Sequence, residues 1–221
     1  MKITILTLFP EVFSQILNTS ILARAQKKKL VNIALVNIRD FAKNSYKTVD
    51  DRPYGGGVGM LMKVDVLYKA IQSVKGKKSG EHIILLDAKG KRFNQKKARE
   101  LSKYKHLIII CGHYEGVDVR IEKYVDEIIS IGDYVLTGGE IPAMAIVDAV
   151  VRLIPKVITK GATTSESFES GLLEYPQYTR PETFRGQKVP KVLLSGNHTA
   201  ITKWRKSQQQ KVITSSPDVS R

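Results

Sequence analysis

Five short apolar runs occur in the first 131 residues of the chain, and each has the length of a β-strand. They are "KITILTL" (2–8), "VNIALVNI" (31–38), "HIILLD" (82–87), "HLIIIC" (106–111) and "EIISI" (127–131). Most are almost continuously apolar instead of alternating, which is typical of strands that are buried on both faces of a parallel sheet. The pattern therefore predicts a buried parallel sheet.

Stretches with apolar residues at helical spacing lie between and after these runs. They are residues 10–28, "VDVLYKAIQSV" (64–74), "NQKKARELSKY" (94–104) and "EIPAMAIVDAVVRLI" (140–154). Asn94 is a good N-cap, and Pro142 falls in a first helical turn, where the missing proline N–H is tolerated. Alternating strands and helices predict an α/β fold, with a parallel sheet flanked by helices.

The amino-acid composition of the chain changes after Pro155. The segment 156–171 is rich in Ser, Thr and Gly, which is typical of a linker, and a short helix is predicted around "HTAITKWRKSQQQ" (198–210). We therefore predict an α/β domain over residues 1–160, a linker over 161–172 and a small, largely helical C-terminal domain over 173–221.

Charge narrows the choice of partners. The chain has 36 Lys and Arg against 21 Asp and Glu, a formal net charge of +15. Such an excess favours a polyanionic partner, either nucleic acid or an anionic membrane surface, over a merely basic protein. The basic clusters are dispersed (27–29, 75–78, 89–92 and 203–206), which suits a folded body that follows a phosphate backbone.

Several classes of protein are disfavoured by the same sequence. The apolar runs are too short to span a bilayer, and the N-terminal run meets Pro10 and Glu11 too early for a signal peptide. Cys111 is the only cysteine, which excludes an internal disulfide, suits the cytoplasm and, with four scattered histidines, gives no familiar zinc spacing. Cys111 closes an apolar run, so we expect a buried thiol and not a nucleophile.

The stretch "DDRPYGGGVGM" (50–60) has four glycines within five positions. It matches neither the P-loop pattern nor the dinucleotide-binding pattern. Glycine clusters mark backbone that turns sharply or passes close to another group, so a plain turn and a ligand-contacting loop both remain open.

Three of the apolar runs end in glycine-rich turns: "LLDAKG" (85–90), "IIICGHYEG" (108–116) and "IISIGDYVLTGGE" (128–140). Open α/β sheets bind ligands outside the carboxyl ends of their strands, so these turns can form one pocket. They predict a small planar ligand held by main-chain groups, nucleoside-like and without a polyphosphate. Three unrelated turns are the alternative.

Five motifs in order closely resemble the bacterial tRNA (guanine-N1)-methyltransferase (TrmD) family. They are "VDDRPYGGGVGM", "CGHYEGVDVR", "SIGDYVLTGGEIPAM", "LLEYPQYTRP" and "VPKVLLSGNHTAITKWR", and they span residues 49–205. The resemblance implies a SPOUT fold, whose α/β domain carries a deep trefoil knot, a rare exception to unknotted topology. It also implies a homodimer with active sites shared between subunits, methyl transfer from S-adenosylmethionine to the tRNA guanosine immediately 3′ of the anticodon (position 37), and support of the reaction by magnesium.

The resemblance assigns site residues by motif. The cofactor residues it implies are Leu86, Gly112, Tyr114, Glu115, Ile131, Gly132, Asp133, Tyr134, Val135, Leu136, Gly138, Gly139 and Pro142, with Glu115 at the methionine end. The tRNA-contacting residues it implies are Asp50, Asp51, Tyr54, Gly57, Gly59, Arg180, Asn197, His198, Trp204 and Arg205. No residue is assigned to magnesium.

The implied catalytic residues are Glu166, as the base, and Arg152, at the guanine oxygen. The family places an aspartate where this chain has Glu166, and usually an arginine where it has His113. Two alternatives therefore stay open beside methylation of this guanosine: a SPOUT-shaped RNA-binding protein with weakened catalysis, and methylation of another RNA.

Overall fold

A computed structural model describes residues 1–76, 80–159, 167–168 and 172–211 of the protein. The backbone divides into two units, Met1–Thr159 and Lys160–Arg221. The first unit contains the elements that form the pocket described below.

Among its described residues (1–76 and 80–159), the first unit has seven strands and five α-helices. In chain order they are β1 (Lys2–Thr7), α1 (Ser14–Leu17), α2 (Ser20–Lys27), β2 (Asn32–Asn37), β3 (Asp50–Asp51), β4 (Leu61–Met62), α3 (Val64–Val74), β5 (Glu81–Arg92), α4 (Gln95–Leu101), β6 (His106–Cys111), β7 (Glu127–Ser130) and α5 (Glu140–Val151). Three 3₁₀-helices, Pro10–Phe13, Ile38–Phe41 and Val119–Tyr124, join them.

The central sheet has five strands in the order β2-β1-β6-β5-β7, and all of its pairings are parallel. Two clusters of buried apolar side chains pack on its two faces, one containing Phe13, Ile109 and Val147, the other Leu67, Ile71 and Ile110. Ile109 and Ile110 are neighbours in β6 and belong to opposite clusters, because successive strand residues point to opposite faces. The predicted parallel α/β sheet flanked by helices is confirmed.

Several predicted elements have different bounds in the structure, and two of the differences change the architecture. Residues 10–28 form a 3₁₀-helix and two short α-helices, because Thr19 is extended and Ser20 has a positive φ of 52°. β5 continues beyond Asp87 to Arg92, since it pairs with β7 twice, before and after a register shift between Leu86 and Lys91. Both differences depend on tertiary contacts that periodicity does not report.

The described residues of the second unit form four two-residue strands and two α-helices. They are β8 (Leu172–Leu173), β9 (Thr183–Phe184), β10 (Gln187–Lys188), α6 (Lys191–Leu194), α7 (His198–Gln208) and β11 (Gln210–Lys211). The side chain of Asn197 accepts a hydrogen bond from the backbone N–H of Ala200 (3.0 Å), which caps the first turn of α7.

Candidate functional site: a pocket at the carboxyl edge of the sheet

The middle of β5, at its register shift, and the turns that follow β6 and β7 line one pocket of about 160 Å³ in the first unit. The turn predicted at 85–90 is wrong, because these residues belong to β5. Neighbouring parallel strands run to the same sheet edge, so three segments that are distant in sequence meet there. The lining combines backbone of the glycine-rich turns with the side chains of Tyr114, Glu115 and Tyr134. The convergence expected from the sequence is therefore present.

Twelve of the thirteen predicted cofactor residues line this pocket. They are Leu86, Gly112, Tyr114, Glu115, Ile131, Gly132, Tyr134, Val135, Leu136, Gly138, Gly139 and Pro142. Asp133 lies outside the lining, with an exposed side chain that accepts a hydrogen bond from Arg92 (2.9 Å). Asp87, Ser130 and Thr137 also line the pocket and were not singled out from the sequence, because only their tertiary position distinguishes them.

The turns after β6 and β7 are held together by their backbones. The N–H of Gly139 donates to the carbonyl of Gly112 (2.8 Å), and His113 forms an isolated antiparallel bridge with Gly138. A Cβ added at Gly139 would lie 2.6 Å from the Cα of Cys111 and 2.9 Å from the nitrogen of Gly112. Only glycine permits this approach, which fixes the relative position of two pocket walls.

The middle of β5 is held to the Val119–Tyr124 3₁₀-helix by an ion pair. The Nζ of Lys89 lies 2.6 Å from Oε1 of Glu122 and 3.8 Å from Oδ2 of Asp87. The hydrogen bond to Glu122 raises the pKa of Lys89, so its ammonium stays charged at neutral pH. This pairing positions Asp87, one of the lining residues, from outside the pocket.

The glycine-rich stretch 50–60 is attached to the same pocket. The N–H of Glu115 donates to the carbonyl of Met60 (3.1 Å), and the N–H of Met62 donates to the carbonyl of Gly116 (2.9 Å). Gly59 has a φ of +84°, and a Cβ added there would overlap the side chain of Glu115. Glu115 therefore lies between the pocket and the glycine-rich loop, which joins two features that the sequence left separate.

The predicted tRNA-contacting residues of this loop lie next to the pocket and largely open to solvent. Asp50 and Asp51 form β3, which pairs with β4 in antiparallel register. Tyr54 is 101% exposed, so no described residue covers its ring. Gly57 and Gly59 both have positive φ angles, 123° and 84°.

Arg152, one of the two predicted catalytic residues, is not among the described residues that line the pocket. Arg152 is the C-cap residue of α5, whereas the pocket borders the N-terminal turn of that helix through Pro142. At a rise of about 1.5 Å per residue, the two backbones are about 15 Å apart along the helix axis. Glu166 lies outside the described residues.

Cys111 is fully buried, as expected, at the end of β6. Burial raises the pKa of its thiol well above the ordinary value, and the negative charge of Glu140 adds to that effect. A thiol that stays protonated is a poor nucleophile.

We expect Cys111 to resist Ellman's reagent in the folded protein at about pH 8, where an exposed thiol reacts readily, because it is buried and stays protonated. Absorbance of the released thiolate, with and without guanidinium chloride, measures this. Reaction of the folded protein at the rate of the unfolded chain would contradict the buried assignment.

In the second unit, three of the predicted tRNA-contacting residues share one cavity: Arg180, Trp204 and Arg205. Asn197 and His198 lie outside its lining, at the start of α7, where the Asn197 side chain is the N-cap. The cavity itself was not predicted, because its walls come from four separate segments.

The described residues form neither a metal-binding cluster nor a membrane-spanning helix. No group of three or more His, Cys, Asp or Glu side chains there is arranged to hold a metal ion. Among the same residues, no helix has the length and apolar character needed to cross a membrane.

The fold and the pocket together define an α/β protein whose ligand-sized site is built by glycine-rich turns at the carboxyl edge of a parallel sheet. Residues 1–220 match the family described as tRNA (Guanine-1)-methyltransferase TrmD. Three proteins named tRNA (guanine-N(1)-)-methyltransferase illustrate the similarity. That of Geobacillus kaustophilus is 57% identical over 211 residues, covering 94% of this chain and 86% of the relative. That of Dictyoglomus turgidum is 53% identical over 221 residues (99% and 89%), and that of Malacoplasma penetrans is 54% identical over 209 residues (95% and 92%).

A family match over the whole length and identities above 50% confirm the resemblance seen in the motifs. The chain belongs to the TrmD family of tRNA (guanine-N1)-methyltransferases.

Proposed function

We propose that this protein transfers a methyl group from S-adenosylmethionine to N1 of the tRNA guanosine immediately 3′ of the anticodon, position 37. The observation that carries the proposal is the convergence of the middle of β5 and two glycine-rich turns on one pocket, with Glu115 between that pocket and the glycine-rich loop. Family membership supports the same reaction.

The chemistry of the pocket lining suits a nucleoside-like methyl donor. Five of the lining residues are glycines, so main-chain N–H and carbonyl groups are available to an adenine and a ribose, and the carboxylate of Glu115 is available to a cationic group. No glycine turn of the pocket follows a polyphosphate-binding pattern. S-adenosylmethionine, when bound there, supplies a methyl group on a cationic sulfonium. The predicted cofactor residues that line the pocket would hold it.

Methylation at N1 requires help from the protein, because guanine N1 carries a proton at neutral pH and is a poor nucleophile until the proton leaves. We assign the proton to the carboxylate of Glu166, and the negative charge that then collects on O6 to the guanidinium of Arg152. General-base assistance is typically worth about 10²–10⁴ in rate, and stabilisation of developing charge is of similar size.

The position of Arg152 supports a site shared between two subunits. Its backbone is about 15 Å along α5 from Pro142, further than an arginine side chain reaches. We propose that the protein is a homodimer in which one chain supplies the pocket and its partner supplies Arg152 and Glu166. The trefoil knot of the SPOUT fold is part of the same proposal, supported by the backbone hydrogen bond that holds the turn after β7 against the turn after β6.

Mixing two inactive variants tests the shared site. We expect Gly139→Ala, with a damaged pocket, and Arg152→Ala, with a missing cation, to be inactive separately and to regain activity after co-refolding. One site in each mixed dimer is then intact, so random mixing restores about a quarter of the wild-type sites. Formation of 1-methylguanosine measures the recovery. No recovery, despite mixed dimers in native mass spectrometry, would place both residues in one chain.

Gly59→Ala tests the contact between the glycine-rich loop and Glu115. The added Cβ must displace Glu115, and the positive φ costs about 1–2 kcal/mol for a non-glycine residue. We expect kcat/KM for tRNA to fall about tenfold and the affinity for S-adenosylmethionine to fall with it. Gly55→Ala is the matched control, since its φ of +83° imposes the same strain with no atom within 4 Å. Equal losses of cofactor affinity in both variants would show that the Glu115 contact does not matter.

We propose that residues of both units contact the tRNA. Asp50, Asp51, Tyr54, Gly57 and Gly59 would lie against the extruded guanosine, and Arg180, Asn197, His198, Trp204 and Arg205 against the anticodon arm. The excess of Lys and Arg suits this polyanion. Magnesium as a supporting ion and a cytoplasmic location belong to the same proposal.

Two assays separate this proposal from its alternatives. Calorimetric titration with S-adenosylmethionine measures cofactor binding, and mass spectrometry of nucleosides from an unmodified tRNA measures 1-methylguanosine. Binding together with 1-methylguanosine supports the proposal. Binding without product favours the RNA-binding protein with weakened catalysis, and a methylated nucleoside in a different RNA favours the other substrate.

A further inference from the structure

The second unit contains an open cavity of about 640 Å³ whose walls are aromatic and basic. Tyr175, Tyr178 and Trp204 supply three rings, and Arg180 and Arg205 supply two guanidinium groups. A cavity of this volume accommodates a single nucleobase with part of its ribose.

One face of α7 builds the floor of this cavity. Ile201, Trp204 and Arg205 lie at positions i, i+3 and i+4, which place their side chains on the same side of a helix. Among the second-unit residues whose burial is described (167–168 and 172–209), none is buried. The apolar and aromatic side chains of this face are therefore available to a partner.

The rings of Tyr178 and Trp204 form a wedge. Their centroids are 6.3 Å apart and their planes are inclined by 55°. A planar base between two parallel rings separates them by about 7 Å, twice the contact distance of about 3.5 Å between carbon atoms. Tyr178 is 49% exposed, so rotation of its ring into a parallel arrangement meets little resistance.

Charge around the cavity favours a polyanion. Between residues 172 and 211 the chain has eight Lys and Arg and two Glu. The guanidinium of Arg205 lies over the ring of Tyr175, 5.0 Å from the centroid, an arrangement that leaves its N–H donors free to face a phosphate. Glu182 is also in the lining and offers a carboxylate to an exocyclic amine of a base.

We propose that this cavity takes one unpaired nucleobase of the tRNA, stacked against Trp204 and Tyr178, with Arg205 and Arg180 on the flanking phosphates. The inference rests on the proposed function, since it concerns the same tRNA, and it adds a second base-binding site remote in sequence from the methylation pocket. Stacking on aromatic rings is tolerant of base identity. We therefore expect the site to select for an unpaired nucleotide and to discriminate only weakly between the bases.

Trp204 is the only tryptophan of the chain, so its fluorescence reports on the cavity directly. The experiment titrates the full-length protein with two RNAs of equal phosphate number, an anticodon stem–loop and a blunt duplex. We expect the stem–loop to quench Trp204 and shield it from acrylamide, and the duplex to do neither. An abasic substitution at one loop nucleotide is expected to remove the quenching.

The RNA affinity of Trp204 variants tests the same proposal independently of fluorescence. Trp204→Ala is expected to weaken stem–loop binding about tenfold, the typical effect of one lost base stack, and Trp204→Phe is expected to weaken it less. Phe184→Ala is the matched control, because Phe184 is an exposed ring of the same unit, paired with Arg185, outside the cavity lining. Circular dichroism and cofactor titration check that each variant is folded.

The possible outcomes distinguish a failure of the cavity proposal from a failure of the proposed function. Equal quenching by duplex and stem–loop, or equal losses in Trp204→Ala and Phe184→Ala, would overturn the cavity proposal while leaving methylation intact. Shielding of Trp204 that grows with protein concentration and without RNA would overturn it in favour of a second copy of the chain. Stem–loop-specific quenching by a protein that forms no 1-methylguanosine would support the cavity as an RNA site and overturn the proposed function instead.

Discussion

Gly139→Ala is expected to abolish cofactor binding at ordinary concentrations. The new Cβ would lie 2.6 Å from the Cα of Cys111 and 2.9 Å from the nitrogen of Gly112, and both are backbone atoms that cannot rotate away. The turn after β7 must then move from the turn after β6, which separates two walls of the pocket. Overpacking typically costs about 1–3 kcal/mol, so we expect the affinity for S-adenosylmethionine to fall on the order of a hundredfold.

Isothermal titration calorimetry with S-adenosylmethionine measures this effect, and circular dichroism shows whether the variant is folded. Gly56→Ala is the control: a Cβ there would meet no atom within 4 Å, and the strain imposed by its φ of +82° falls on a residue outside the pocket lining. We expect it to bind the cofactor as the wild type does. A folded Gly139→Ala protein with wild-type affinity would show that the methyl donor does not use this pocket.

Glu166→Gln is expected to lower the rate of methyl transfer by about a hundredfold or more without changing cofactor affinity. Glutamine keeps the size of the side chain and removes its ability to accept the N1 proton. Single-turnover formation of 1-methylguanosine, with enzyme in excess over tRNA, measures the chemical step apart from product release.

Two further variants test the assignment of Glu166. Glu169→Gln removes another acid of the same segment and is expected to leave the rate nearly unchanged. Glu166→Asp restores the residue usual in the family and is expected to keep activity at or above that of the wild type. Equal rates for Glu166→Gln and the wild type would mean that another group, or water, takes the proton.

Much of the sheet could be predicted from sequence because burial on both faces leaves a local signal. The apolar run 106–111 coincides with β6, and the helical period over 64–74 coincides with α3. The glycine-rich turns were also local signals, and parallel strand order was enough to bring them to one edge.

The remaining features depend on contacts between distant residues. Nothing near Ser20 indicates its positive φ, and nothing near Gly59 indicates that Glu115 occupies the space beside it. The distance of Arg152 from the pocket follows from the length of α5, once the pocket is known to border its first turn. Motif similarity predicts a role in the reaction for Arg152, and its distance from the pocket supports our proposal that a second chain supplies it.

The most direct test of the proposed function is to determine which nucleotide of the tRNA carries the methyl group. Two unmodified tRNA transcripts that differ only at position 37, with guanosine in one and adenosine in the other, are incubated with the protein and S-adenosylmethionine. The products are digested with a nuclease and mapped by mass spectrometry. We expect 1-methylguanosine at position 37 of the first transcript and no methylation of the second. A methyl group elsewhere in the first transcript, equal methylation of both, or an unmodified first transcript would contradict it.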